Sequence, residues 1–427
     1  MSDYSTPKGM RDFSGATMLL RQKMVSTIEG VYAAWGYQPL STPAMESLST
    51  LNAKAGAEIA GQLFRIEDSE LALRFDLTVP LARFAANSSM PKPYKRYAIA
   101  PVWRREEPQK GRLREFLQAD ADIIGSSSMR AEAELLAMAS DALARLGFAD
   151  FTILLSNRKI LSAVIQKLKI QDETGAFRAL DKLDKIGPEG VRAELAKTGL
   201  DEGQRDALLK VISRKSGETN ERILKSLAAY SEEGASELGQ ILEFLKPYAL
   251  LGGKVKIEPS LVRGLGYYTG PIFEIKASDT IGSVAGGGRY DNLLSIYGQS
   301  DSAVGISLGI ERLIALQVGK SEKGAKARVS GTDILLVAID ESCYAKTVEL
   351  AKPLRASGLS VETDLNGRNM RKQLDYANAL GIPFALIVGK KEIASEKYVL
   401  KDLQSGEQKE LSVEQAVKQV LKSKEKE

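Results

Sequence analysis

The chain has 427 residues, 44% of them hydrophobic and 27% charged, with a net charge of +4. These totals are ordinary for a globular chain of roughly two or three domains, and they permit an anionic partner without requiring one. Histidine is absent and cysteine occurs once, at Cys343. That excludes an imidazole general base, Ser-His-Asp and Cys-His nucleophiles, His-ligated metals, thiolate clusters and structural disulfides.

Residues 1 to about 156 mix helical and strand patterns. Met1 to Asp12 has no apolar signal core and no Arg-rich amphipathic stretch, and no apolar run could span a bilayer, so the expected location is cytoplasmic, with no membrane partner. In Leu73–Ala86, Thr78 is expected to cap a helix with Pro80 in its first turn, and Asp76 stands just before that cap. Residues 94–125 alternate strictly and read as two strands around the polar loop Glu106–Leu113. On the first strand Arg96, Ala98, Ala100, Val102 and Arg104 share a face. On the second, Gln118, Asp120 and Asp122 lie opposite Leu117, Ala119, Ala121 and Ile123.

From about 157 to 251 the pattern is helical, with amphipathic segments Leu161–Ile170, Ala176–Lys185, Glu189–Lys197, Glu202–Ser213, Glu218–Ala229 and Glu237–Leu245. Strands and glycine turns return from 252 to about 318, and Lys320–Gly331 reads as a linker. An α/β unit follows: strand Asp333–Ile339, helix Tyr344–Arg355, strand Leu359–Thr363, helix Met370–Leu380, strand Phe384–Val388, a hairpin of Tyr398–Asp402 and Gln408–Leu411, and helix Val413–Lys422. Its alternation predicts a mostly parallel sheet.

Chemistry gathers at a few places. Arg104, Arg105, Arg112 and Arg114 surround the hairpin loop, and planar guanidinium groups suit bidentate contact with phosphate or carboxylate. Arg263 precedes Gly264, Gly266 and Gly270, interleaved with Tyr267 and Tyr268. Gly286–Asp291 (GGGRYD) and Ala303–Leu316 (AVGISLGIERLIAL) follow, the latter a short strand entering an apolar helix that begins near Arg312. Each alone fits an ordinary turn, strand or helix start.

Together they carry a resemblance. The 94–125 hairpin resembles motif 2 of class II aminoacyl-tRNA synthetases, most closely that of histidyl-tRNA synthetases. Leu261–Glu274 and Gly286–Asp291 resemble the two histidine-specific segments of that family, with Gly266 standing where the family has Asp. Ala303–Leu316 resembles motif 3, and Gly36–Pro43 resembles motif 1, which builds a dimer interface around its proline. The C-terminal unit resembles an anticodon-binding domain. The fold so implied is an α+β catalytic domain with an antiparallel sheet over residues 1–320, a helical insertion at 157–251, and an α/β anticodon-binding domain at 332–427.

The resemblance implies a ligase that activates L-histidine with ATP and transfers it to tRNA(His), acting as a homodimer with Mg²⁺ and without a protein-built metal site. Arg104 and Arg263 would hold the α-phosphate and the amino-acid carboxylate and carry the chemistry. Glu106, Arg112 and Arg312 would bind the rest of ATP. Asp76 and Thr78 would meet the α-amino group, Gln118 and Asp122 would line the amino-acid pocket with Asp122 on the imidazole, Tyr268 would bond the ring with Tyr267 beside it, and Tyr290 would close over the substrate. Asn366, Arg368, Asn369, Arg371 and Lys372 form a candidate RNA-contact edge. Three rivals are a regulatory paralogue of ATP phosphoribosyltransferase, which lacks the anticodon-binding unit and catalytic arginines, a tRNA-sensing domain beside a kinase, and a class II synthetase for another amino acid, which lacks the Arg263–Tyr268 and Tyr290 segments.

The resemblance also gives the missing histidine a second meaning, since translation of such a chain would not itself consume histidyl-tRNA. On histidine withdrawal, synthesis of this chain is expected to outlast that of a variant bearing several surface histidines. Pulse labelling that shows both falling together would contradict this.

Overall fold

The computed structural model describes residues 4–53, 61–108, 112–214, 217–249, 254–262, 267–278, 281–320 and 328–424. Arg263, Gly266 and most of the linker segment lie outside the described residues. The chain forms two compact units, Met1–Arg11 with Lys23–Lys320, and Asp12–Gln22 with Ser321–Glu427. No helix among the described residues is long and apolar enough to cross a membrane.

In chain order the strands of the first unit are β1 (Gln38–Pro39), β2 (Met45–Ser47), β3 (Leu71–Leu73), β4 (Tyr94–Trp103), β5 (Glu115–Ile124), β6 (Thr152–Asn157), β7 (Val255–Ile257), β8 (Pro271–Lys276), β9 (Ala285–Arg289) and β10 (Ala303–Gly309). Eight of them form one sheet in the order β1-β4-β5-β10-β9-β8-β6-β7, and β2 and β3 pair separately. All its pairings are antiparallel except the outer two, β1 with β4 and β6 with β7. The sheet is thus antiparallel where the motif-bearing strands meet.

The placement of β5 matters most for function. It runs between β4 and β10, so both of its edges are paired, and every residue from Gln118 to Ile124 is buried. The alternation predicts a polar face, and the structure buries that face: Asp120 is 3% exposed, Asp122 2%, and Arg96 on the neighbouring strand 1%. Close strand packing here depends on glycine. A Cβ at Gly305, the register partner of Asp122, would overlap Asp122 Oδ1.

Between the adjacent strands β6 and β7 lie helices Arg158–Lys167, Glu173–Leu180, Leu183–Lys197, Glu202–Ile212, Asn220–Ala228 and Glu232–Leu245. Three of them start before the apolar periodicity suggests. Asn157, Asp172 and Ser231 each accept a backbone N–H from the first turn, so the polar caps begin the helix ahead of its apolar stripe. The helix expected to continue to Lys185 stops at Leu180. A break at Gly187, with φ of 68°, precedes Pro188 and restarts the following helix at the position the sequence suggests.

The second unit has β11 (Ile334–Ala338), β12 (Val361–Thr363), β13 (Phe384–Val388), β14 (Tyr398–Asp402) and β15 (Gln408–Leu411) in the order β12-β11-β13-β14-β15. The expected mostly parallel sheet is instead mixed. β11 runs parallel to β12 and β13, but the hairpin adds β14 antiparallel to β13, because a short connection can only reverse direction. Along β11 and β13, Ile334, Leu336, Leu386 and Val388 pack on the side of helices Tyr344–Ala356 and Val413–Lys424. Leu335, Val337 and Ala385 join Ala377 of helix Met370–Leu380 on the other side. Both faces are covered, which is why these strands read as continuous apolar runs.

One buried ion pair ties β9 to helix Arg130–Arg145. Arg289 Nε and Nη2 donate to Glu132 Oε1 and Oε2 at 2.7 and 2.8 Å, with the two residues 3% and 0% exposed, and Arg289 Nη1 donates to the Ser126 carbonyl at 2.9 Å. Removing one partner strands the other charge in the core. Glu132→Ala is therefore expected to cost about 3–5 kcal/mol in denaturant unfolding, and a loss below about 1 kcal/mol would show that the pair does not anchor β9.

Candidate active site

A cleft of about 1060 Å³ opens over the β4–β5–β10–β9 part of the sheet. Its lining includes every site residue expected from the sequence that lies within the described part of the chain: Asp76, Thr78, Arg104, Glu106, Arg112, Gln118, Asp122, Tyr267, Tyr268, Tyr290 and Arg312. Leu180, Asp181, Leu183 and Lys185 of the helical stretch also reach its wall.

Arg104 stands one residue beyond β4, where the backbone leaves the sheet. Its Nε donates to the Phe75 carbonyl at 3.0 Å, and its guanidinium lies 5.2 Å from the centre of the Phe116 ring. One edge of the group is fixed in this way. Arg112 and Glu106 come from the hairpin loop and approach each other to 3.9 Å. Of the other loop arginines, Arg114 donates to the Glu106 carbonyl at 2.8 Å and so braces the loop from outside the cleft lining. Arg312, in the first turn of helix Ile310–Lys320, donates to the Ser283 carbonyl.

Beside Arg104, Asp76 precedes helix Thr78–Ala86. The expected cap was Thr78, but Asp76 Oδ1 accepts the Val79 N–H at 3.0 Å and Thr78 is the first helical residue. The carboxylate reaches further back into the turn than the hydroxyl, which instead hydrogen-bonds the Tyr267 phenol. Burial pushes the Asp76 carboxyl up to about 6, against the pull of the Val79 N–H and of Arg104.

The floor is the polar face of β5. Asp122 Oδ2 lies 2.7 Å from Arg96 Nη2, and Tyr290 donates its hydroxyl proton to Asp122 Oδ1 at 2.5 Å. Tyr290 was expected to close over the substrate. In the structure it packs in an apolar cluster with Leu81, Tyr267 and Leu293, its ring edge-on to Tyr267 at 5.9 Å, and its hydroxyl engaged by Asp122. Tyr290 and the half-buried Tyr268 both line the cleft.

Three floor residues carry no assigned role in the sequence reading. Asp120 lies between Gln118 and Asp122 on one face and lines the cleft. Burial pushes its carboxyl up to about 7; Arg96 and the Ser307 hydroxyl oppose the rise, and Asp122 adds to it. Arg96 bonds the Leu77 carbonyl at 3.0 Å as well as facing Asp122. Ser307, the register partner of Asp120, accepts from Gln118 Nε2 at 2.8 Å. The signal for Asp120 and Arg96 was their position on the polar faces of two alternating strands. Ser307 gave none, because its role comes from the pairing of β5 with β10.

In the second unit, two residues of the candidate RNA edge are used by the fold. Arg368 pairs with Asp364 at 2.7 Å and lies over Tyr376, and Asn369 caps helix Met370–Leu380 through the Lys372 N–H. Asn366, Arg371 and Lys372 are exposed, beside Leu365, which is 82% exposed. Among the described residues no group of three or more Cys, Asp or Glu is arranged to hold a metal ion.

The antiparallel sheet, with an arginine-bearing hairpin over its centre, is the fold implied by the class II resemblance. A family model described as histidyl-tRNA synthetase matches residues 9–313, and one described as anticodon binding domain matches 333–423. A histidine–tRNA ligase of Aeropyrum pernix is 40% identical over 97% of this chain and 97% of its own length, and one of Cytophaga hutchinsonii is 37% identical over 99% and 100%. The crystal structure of histidyl-tRNA synthetase from Nostoc sp. PCC 7120 superposes with a TM-score of 0.86 at 30% identity, covering 99% of this chain and 100% of that one. The chain belongs to the histidyl-tRNA synthetase family.

The buried carboxyls make ligand-free stability depend on pH. Asp76 has a folded value of about 6 against an ordinary 3.8, so its contribution is fully present below about pH 4 and is lost as pH rises through about 6. Asp76→Asn keeps the acceptor for Val79 and removes the titration. Its stability relative to the parent should rise between pH 4 and 7 by up to about 3 kcal/mol. Urea titrations giving a pH-independent difference would contradict the assignment.

Proposed function

We propose that this chain joins L-histidine to tRNA(His) through a histidyl-adenylate. A carboxylate oxygen of histidine attacks the α-phosphorus of ATP. The new O–P bond forms as the bond to the β-phosphate oxygen breaks, and pyrophosphate leaves with the electron pair. The ribose hydroxyl of the terminal adenosine of tRNA then takes the acyl group and AMP leaves. The observation that carries this reading is the joining of opposite chemistries in one cleft: guanidinium groups of Arg104, Arg112 and Arg312, the buried acceptor Asp76 beside Arg104, and the buried acceptors Gln118 and Asp122 on β5.

The first step brings two anions together. Arg104, fixed by the Phe75 carbonyl, offers its remaining N–H groups to the substrate carboxylate and α-phosphate. Arg263 is proposed to face it across the α-phosphate. Glu106 and Arg112 on the loop would take the adenine and outer phosphates, with Arg312 on the γ-phosphate. No general base is required, because the attacking carboxylate is already ionised, and this agrees with a chain that has no histidine. Asp76 and Thr78 receive the α-ammonium, Tyr267 braces Thr78, and Gln118, Asp122, Tyr268 and Tyr290 form the imidazole end.

Magnesium fits this site as a companion of ATP. Glu274 and Glu311 are among the carboxylates of the cleft lining that would share it, the rest of its coordination coming from phosphate oxygens and water. When bound it neutralises phosphate charge. Residues 1–320 would form the catalytic domain, with 157–251 inserted in it; the return of the helical stretch to β7, beside β6, supports this. Residues 332–427 would bind the anticodon. Exposed Met45, Ile66 and Leu71 around the β2–β3 ribbon support a homodimer through the segment near Pro43. A cytoplasmic location suits the single, buried Cys343.

The purified protein should catalyse histidine-dependent exchange of pyrophosphate into ATP, and Arg104→Ala should lower its kcat/KM roughly 100- to 1000-fold. Exchange dependent on another amino acid, or none with histidine, would overturn the reading.

A further inference from the structure

Asp120 was singled out above by place alone. It sits on the cleft face of β5, two residues from Gln118 on one side and two from Asp122 on the other. Its register partners are Ala98 and Ser307, both too small to cover it. The residue is 3% exposed, and its Oδ1 has no hydrogen-bond partner among the described residues. The Ser307 hydroxyl, which accepts from Gln118 Nε2 at 2.8 Å, partly offsets the burial of this carboxyl.

Asp122 differs. Its charge is met by Arg96 at 2.7 Å and its Oδ1 is taken by Tyr290 at 2.5 Å. Of the two β5 carboxylates, the one without an ion pair among the described residues is therefore Asp120. Among cleft-lining residues, the buried side-chain atoms with no hydrogen bond are Asp76 Oδ2, Gln118 Oε1, Asp120 Oδ1 and Asp122 Oδ2, the last already ion-paired, and all are acceptors. A ligand that completes this set must bring several N–H donors. An α-ammonium can serve Asp76 and Gln118. A donor further along the ligand is then required at Asp120, and a ring N–H supplies one.

We propose that Asp120 is a specificity-determining residue that accepts a hydrogen bond from the imidazole ring of the bound amino acid, next to the Asp122–Tyr290 pair. This rests on the reading that histidine is the amino acid activated. An apolar side chain in the same place would leave a buried carboxylate oxygen without a partner, so Asp120 selects against it. The weakened acidity of this carboxyl, caused chiefly by burial, is what a site awaiting a donor should show in the ligand-free protein.

The test compares full-length wild type with Asp120→Asn in histidine-dependent ATP–pyrophosphate exchange. It is accompanied by inhibition with 3-(imidazol-4-yl)propionate, which keeps the ring and lacks the amine, and by ligand-free melting at pH 8. Histidine KM should rise roughly 10- to 100-fold, with ATP KM held within about twofold and inhibition by the ring acid weakened by the same factor as histidine. The melting temperature should be unchanged or higher, because a buried charge with an unmatched oxygen has become a neutral amide. A merely structural role would lower the melting temperature and raise both KM values together, and that result overturns the proposal. So does an unchanged histidine KM, or a loss of histidine affinity with inhibition by the ring acid intact. If Asp120→Asn does not fold, Ser307→Ala, which frees the carboxylate from its orienting hydroxyl, should raise histidine KM several-fold and spare ATP KM; no change would overturn the proposal. Failure of the underlying reading is visible separately, as wild type without histidine-dependent exchange.

Discussion

Three carboxylates, Asp76, Asp120 and Asp122, share a buried floor with the guanidinium of Arg96, and the rest of the first unit is arranged around that imbalance. Ionised carboxylates out of water are expensive, and one cation cannot offset all of them. The protein answers with local donors: the Val79 N–H on Asp76, the Ser307 hydroxyl on Asp120, and Tyr290 on Asp122. Each donor depends on a separate element. The first turn of a helix, the pairing of β10 with β5, and the buried Arg289–Glu132 pair next to Tyr290 all have to be in place. What remains unsatisfied is a set of acceptors facing the cleft, and that set describes the ligand: a compact molecule rich in N–H groups.

The arginines of the cleft work in the reverse sense. Arg104 is held on one edge and open on the other, and Arg112 lies half exposed on its loop, so they are suited to anions of varying position. Charge separation along one cleft aligns a zwitterionic amino acid with its carboxylate toward the triphosphate. Alignment of this kind, more than any proton transfer, is what adenylate formation needs. The lack of histidine in the chain costs the site nothing in this scheme.

Much of this was legible in the residue order. Strict alternation in 94–125 marked both strands and the polar face of β5, and helix Met370–Leu380 and strand Phe384–Val388 were readable to the residue. The limits were those of local patterns. Alternation shows that Gln118, Asp120 and Asp122 share a face but not that the face is buried, since distant segments bring groups such as the Leu77 carbonyl and Tyr290 against it. The roles of Ser307 and Arg96 depend on cross-strand register, which no single segment encodes. Helix starts at Arg158, Glu173 and Glu232 were set by polar caps ahead of the apolar stripe, and the antiparallel β14 by a hairpin appended to a parallel pair. Arg263 was named from a motif alone.

The central claim is that the floor of this cleft is complete only when a donor-rich amino acid occupies it. Thermal melting of the protein with each of the proteinogenic amino acids, without ATP, tests that claim most directly. A ligand that binds only the folded state raises the melting temperature by mass action. Histidine at saturating concentration should raise it by several degrees while the others leave it unchanged. A shift of equal size with lysine or arginine would mean that the floor recognises positive charge in general, and it would contradict the account.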